Sequence, residues 1–217
     1  MTAKLPSRWQ RKKDVRPGEI LDAALELFVE KGFRATKMED IARAAGVTKG
    51  TPYLYFQNKE DIFKAVVRES LVNELSDLSQ LAARHEGDVS SLLALLMEVW
   101  WARIGSTRGA GLCKLMMAEA ANFPELATFY YQEVILRGRT MVADLIRLGM
   151  ARGEFRAVPV EPAVDTLMAP LIASMVWDHS FGCILQAGED ADPSRRLAVA
   201  LDLILYGLKN NNTPEEN

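Results

Sequence analysis

Apolar positions recur along this chain at intervals of three and four, the period of a helix with one face turned inward. Ile20, Ala24, Leu27 and Phe28 make one such face and predict a helix from Pro17, suited to a first turn, to Lys31, with Gly32 ending it. Met38, Ile41, Ala42 and Ala45 make a narrower stripe, whose alanines let another helix come close. Thr36 and Glu39 have the spacing of a capping box at its start, and Gly46 stops it where a positive φ is easy. Val47 can plug the corner that follows, and Thr48 can cap a second short helix over Lys49 to Phe56, which must be held by packing. This is the layout of a helix-turn-helix.

The same reading continues to the C-terminus. Asn58 can cap a long helix from Lys59 toward Ala83, through Ile62, Phe63, Val66, Val67, Leu71, Leu75 and Leu78. Gly87-Asp88 breaks the pattern, and Asp88 or Ser90 can cap the next helix. Leu92 to Ile104 is apolar on more than one face, which predicts a buried helix. Gly105 to Gly111 reads as a turn or loop, followed by a short helix from Leu112 to about Ala121. Pro124 opens a long helix to about Ala151, closed by Gly153. Glu161-Pro162 opens another, which Pro170 should kink or divide. After an acidic loop over Gly188 to Pro193, a last helix spans Ser194 to Leu208 with Leu197, Leu201, Ile204, Leu205 and Leu208 on one stripe. The fold class expected is all-α. Its expected division is a basic flexible arm over 1–16, a helix-turn-helix domain over 17–64 and a larger helical domain over 65–217.

The side chains between 36 and 59 suit DNA. Gly50 lets the backbone approach a phosphate or base edge, and Thr48 and Thr51 offer hydroxyl and methyl groups to the major groove. Tyr53 and Tyr55 can reach phosphate oxygens while their rings pack. Lys37, Lys49 and Lys59 supply positive charge, Lys59 in a helix first turn where phosphate is also drawn to the dipole. With Thr36 and Leu54 these are the candidate DNA-binding residues.

From about Pro17 to Val67 the chain resembles the DNA-binding domain of the TetR family of bacterial transcriptional regulators. The resemblance rests on residues 20–24, Leu27-Phe28, Lys31-Gly32-Phe33, Ala35-Thr36, Asp40-Ile41-Ala42, Ala44-Ala45-Gly46-Val47, Lys49-Gly50, Tyr53, Tyr55-Phe56 and Lys59-Glu60, in order and at fixed spacing. Pro52 and Leu54 depart from the usual pattern. The run from Ala118 to Val134 resembles, less specifically, the same part of many effector domains of the family. The resemblance implies a homodimer through the last two long helices, an operator of double-stranded DNA, a small-molecule effector and, as the usual targets, genes of efflux or catabolism.

Charge agrees with a divided chain. The net charge of −3 conceals 13 Lys and Arg against 9 Asp and Glu in residues 1–64, and 13 against 20 in the rest. A basic N-terminal part on an acidic body is the asymmetry of a DNA reader with a second function. Arg8, Trp9, Arg11, Lys12, Lys13 and Arg16 make the first 16 residues a solvated tail or an arm for phosphate and minor groove. Cys113 and Cys183 form no CxxC, and read as small buried hydrophobes in a reducing cytoplasm. No secretory signal is visible, and Glu98 and Arg103 interrupt the longest apolar stretch, so no membrane span is expected.

An effector site in the helical body would be an apolar cavity with a few polar fixings. Met97, Trp100, Trp101, Met116, Phe129, Tyr130 and Trp177 are candidates for its lining, with Glu119, Asp178 or His179 as polar partners; each taken singly reads first as core. Two histidines and scattered acids make no metal cluster, and no cofactor is expected. Without a nucleophile–base pair or a phosphate-cradling loop, an enzyme is disfavoured. The expectation is a repressor released from a palindromic operator by a small lipophilic or aromatic effector. The alternative is a DNA-binding regulator or architectural protein with no effector.

Overall fold

The computed structural model describes residues 8–182, 184 and 192–209, with side chains from Pro17 onward. The first seven residues of the basic arm, Cys183 and most of the acidic loop therefore lie outside the described residues, as do the side chains of residues 8–16. Ten α-helices follow one another, and no strand occurs among the described residues. The fold is all-α, as the periodicity requires. The chain forms two compact units, the first from residues up to 70 together with 111–130, the second from 71–110 and residues after 130.

In the first unit, α1 spans Arg8–Ala35 and α2 Met38–Ala44; a single 3-10 turn at Pro52–Leu54 precedes α3, Lys59–Val67. The helix expected to begin at Pro17 begins at Arg8, with Pro17 inside it. Arginine, lysine and glutamine upstream are good helix formers, and they carry the helix past a proline that lacks an N–H and crowds the carbonyl four residues before it, at a cost of about 3 kcal/mol. Gly32 breaks α1 with φ 80°, where the pattern placed its end. Phe28, Phe33 and Phe63 are buried and meet with centroids about 5.5 Å apart. Phe123 packs edge-on against Phe33 at 4.8 Å, which brings in α6, Ala110–Glu119, and α7, Pro124–Tyr130.

The chain stays helical from Lys59 to Arg84, passing through a π-turn at Arg68–Val72 into α4, Asn73–Arg84. In the second unit Asp88 caps α5, Val89–Trp100, by accepting from the Ser91 amide at 2.9 Å. π-Turns also follow α5, at Trp101–Gly105, and precede α8, Leu136–Ala151, at Tyr131–Ile135. Gly153 (φ 73°) ends the turn after α8. Phe155 then packs where Gly149 leaves room: a Cβ on Gly149 would overlap its ring. α9, Val160–Phe181, runs undivided through Pro170, because Leu167, Ser174 and Met175 are buried on both sides of it. In α10, Pro193–Leu208, the residues Leu197, Leu201 and Leu208 pack within their own chain. A second set on α10, Val199, Leu203 and Tyr206, is 54–72% exposed.

Candidate nucleic-acid interface and ligand cavity

The recognition segment is positioned by what lies beneath it. Met38, Ile41 and Ala42 bury one side of α2 in the first unit. Thr36 does not close the expected capping box: it is 1% exposed, and its hydroxyl donates to the carbonyls of Gly32 (2.8 Å) and Leu27 (3.2 Å). The Gly32 carbonyl lies where α1 breaks, and a buried acceptor there needs a donor more than α2 needs a cap. Lys37 takes the N-cap position of α2 and makes no side-chain cap.

Where an α-helix is expected over Lys49 to Phe56, the chain makes turns and one 3-10 turn. Gly50 and Thr51 favour a helix poorly, and Pro52 lacks an N–H. The segment is held by Thr51 N–H donating to the Thr48 carbonyl at 2.9 Å and by a 2.8 Å bond between the two hydroxyls. Thr51 is thereby 7% exposed. Gly50 has open space around it, Tyr53 and Leu54 are exposed, and Tyr55 is half-buried.

The two lysines flanking this segment differ. Lys49 stands in solvent and pairs with Glu39 of α2. Their hydrogen bond and attraction hold the Glu39 carboxyl below the usual carboxylate range and raise Lys49. Lys59 turns inward instead: its ammonium donates to the carbonyls of Phe33 (2.6 Å), Thr36 (2.8 Å) and, at 3.4 Å, Arg34, and lies 4.3 Å from the Phe33 ring centre. Burial lowers its pKa, which neighbouring Glu60 partly offsets. Asn58 caps α3 as its position suggests, accepting from Asp61 N–H at 2.8 Å.

The second unit contains a small, partly open apolar cavity of about 80 Å³ between α4, α5, α8, α9 and α10. Met97 and Trp100 line it; Trp101 is buried but outside the lining. Trp177 is half-exposed, Asp178 accepts from Arg196 at 2.8 Å, and His179 is 3.3 Å from the Gly105 carbonyl. The remaining candidates belong to the first unit and do not line this cavity. There Met116 is buried, Glu119 accepts from Asn122, and Phe129 faces Lys64 and Arg68. Tyr130 hydrogen-bonds Cys113, and burial raises the pKa of both. Most of the cavity wall is leucine and methionine at helical spacing, such as Leu96, Leu145 and Met168, for which the sequence holds no signal beyond that of core.

Comparison with known proteins fits both units. Residues 20–66 match the sequence model described as bacterial regulatory proteins, tetR family, and residues 83–180 match that of the tetracyclin repressor-like C-terminal domain. The chain is 35% identical over 169 residues to YhgD of Bacillus subtilis, an uncharacterized HTH-type transcriptional regulator, covering 73% of this chain and 81% of that one. It is 27% identical to the HTH-type transcriptional repressor KstR2 of Rhodococcus jostii, covering 88% and 91%. Two other curated relatives match over only 45% and 27% of their own length. Among solved structures, the fatty acid degradation regulator FadR of Bacillus halodurans superposes with a TM-score of 0.74 at 24% identity, covering 88% of this chain and 99% of that one, a likeness of fold. No helix among the described residues is long and apolar enough to cross a membrane. The chain belongs to the TetR family of bacterial transcriptional regulators.

Proposed function

We propose that the protein is a cytoplasmic repressor that holds a palindromic operator as a homodimer and is released from it by a small lipophilic or aromatic effector. The observation that carries this reading is an apolar cavity in one unit of a chain whose other unit exposes a recognition segment. Residues 17–64 read the DNA, residues 65–217 bind the effector and dimerise, and the basic residues before Pro17, which from Arg8 onward belong to α1, add backbone contacts. Lys37, Lys49, Tyr53 and Tyr55 meet phosphates, while Gly50, Thr48 and the exposed edge of Thr51 approach bases. Thr36 and Lys59 act from inside, by fixing the turn between α1 and α2.

Dimerisation follows from the apolar residues that α9 and α10 leave uncovered, Trp177 and Phe181 on one and Val199, Leu203 and Tyr206 on the other. Two recognition segments then meet successive major grooves, roughly 34–36 Å apart. An effector that binds better to a conformer with another separation lowers operator affinity by linkage. A regulator without an effector is the alternative, favoured by the modest size of the cavity.

Selection of genomic fragments by the purified protein tests the reading. Retention of one or a few palindromes, and their release by a lipophilic compound, is the expected result. Fragments with no common sequence would overturn specific repression, and palindromes that no compound releases would favour the alternative.

A further inference from the structure

The cavity of the second unit shares a wall with a surface groove. The cavity has no ionisable lining side chain, and its only side-chain nitrogen is the Trp100 indole. Leu75, Met141 and Leu145 line the cavity on one side and floor a groove between α4 and α8 on the other. The groove is wider, about 630 Å³, and adds hydrogen-bonding groups, among them Gln132 and Thr140. Its charges are matched within their own helical stretch: Arg137 donates to Glu133 at 2.7 Å, and Asp144 accepts from Arg147 at 2.9 Å. Ser79 reaches Met141 Sδ at 3.7 Å, which places the methionine side chain at the partition.

These observations select a two-part ligand. A polar group inside the cavity would lose its hydration for nothing, so the inner part must be hydrocarbon. The groove, whose charges already have partners, offers a charged head little beyond what water gives it. About 80 Å³ is below the roughly 300–1,000 Å³ of most ligand sites, so the wall must yield. Met97, Met141 and Met168, unbranched and adaptable, are the side chains suited to do so.

Building on the effector reading above, we propose that the second unit binds an uncharged amphiphile, a flexible hydrocarbon chain with a hydroxyl, amide or ester head. The chain enters between α4 and α8 past Met141 and lies in the cavity. The head stays in the groove beside Thr140 and Gln132.

Calorimetric titration of the full chain with 1-octanol, octanoate and octyltrimethylammonium at pH 7.5 tests this. Octanol is expected to bind at one site per chain, with both charged probes at least about tenfold weaker. Gly138→Leu, which directs a side chain into the cavity, should abolish octanol binding while leaving DNA retention intact. Thr140→Val, at an exposed position, should weaken octanol about fivefold without changing the melting temperature. If either charged probe binds as tightly as octanol, the uncharged head is wrong and the effector reading stands. Octanol binding that survives both substitutions puts the site elsewhere and overturns the proposal. If no probe binds to protein that still retains DNA, the proposal fails and the cavity loses its place in the effector reading.

Discussion

Lys49 and Lys59 are ten residues apart, carry the same group and both flank the recognition segment, yet only one has its charge to offer. The Lys59 ammonium has three N–H donors, and the Phe33, Arg34 and Thr36 carbonyls lie within reach of them. Lys59→Met should therefore lower the stability of the first unit by roughly 1–2 kcal/mol, since partly buried carbonyls lose a charged donor and their exposure discounts the loss. It should leave the salt dependence of DNA binding unchanged. Lys49→Ala should lower the log–log salt slope by about one while stability holds. Binding isotherms between 50 and 200 mM salt separate the two, and a flattened slope in Lys59→Met would return that lysine to the phosphates. Glu39 adds a second prediction. Its carboxyl is held low by Lys49, so the pairing is complete above the ordinary carboxylate pKa and is lost only as pH falls through the lower folded value. Glu39→Gln should raise DNA affinity a few-fold at low salt, equally at pH 6 and pH 8, and a gain confined to one of those values would point to another group. The sequence showed which residue types could meet DNA. It could not show which were already engaged, because the carbonyls that hold Lys59 lie 23–26 residues away.

At the scale of elements, sequence periodicity located the helices but not the irregularities inside them. A stripe such as Ile62, Phe63, Val66, Val67 and Leu71 reads the same whether or not a π-turn interrupts it at Arg68–Val72, because one extra residue in a turn barely disturbs the count. Proline and glycine were better guides at some places than others. Gly32 marked a real break, whereas Pro17 and Pro170 both sit inside helices that packing or propensity carries past them. Two glycine substitutions separate the physical reasons. Gly32→Ala meets Leu115 and Glu119 at ordinary contact distances of 3.9 and 4.0 Å, so its cost is the backbone conformation, φ 80° with ψ 166°, which essentially only glycine adopts, about 1–3 kcal/mol. Gly149→Ala keeps a helical backbone and collides with Phe155, a cost of roughly 1–3 kcal/mol. Shortening the ring with Phe155→Leu should recover part of the second loss and none of the first. Chemical denaturation of the four variants checks this, and equal recovery in both backgrounds would sink the distinction.

At the scale of the whole molecule, α10 carries apolar residues on two faces, and the sequence could not say which face another chain would cover. The stripe that stood out in the pattern, through Leu197, Leu201 and Leu208, is the one its own chain buries. Val199, Leu203 and Tyr206, spaced at four and three residues, remain exposed at 54%, 67% and 72%. A face of that kind invites a second copy. If it is the dimer interface, Leu203→Glu places a charge where it would be desolvated without a partner. The variant should sediment as a monomer at micromolar concentration. Because Leu203 already faces solvent within its own chain, the fold should survive, with an unchanged helical spectrum. Binding to a single half-site should then be retained, since each monomer keeps its recognition segment and Lys49. Binding to the full palindrome should fall at least about 100-fold, because linking two half-site contacts contributes a factor of roughly 10²–10⁴ that a monomer cannot reach. The pattern itself is the test: a parallel fall at half-site and palindrome would mean a damaged fold. A variant that stays dimeric with full operator affinity would move the interface off this face of α10.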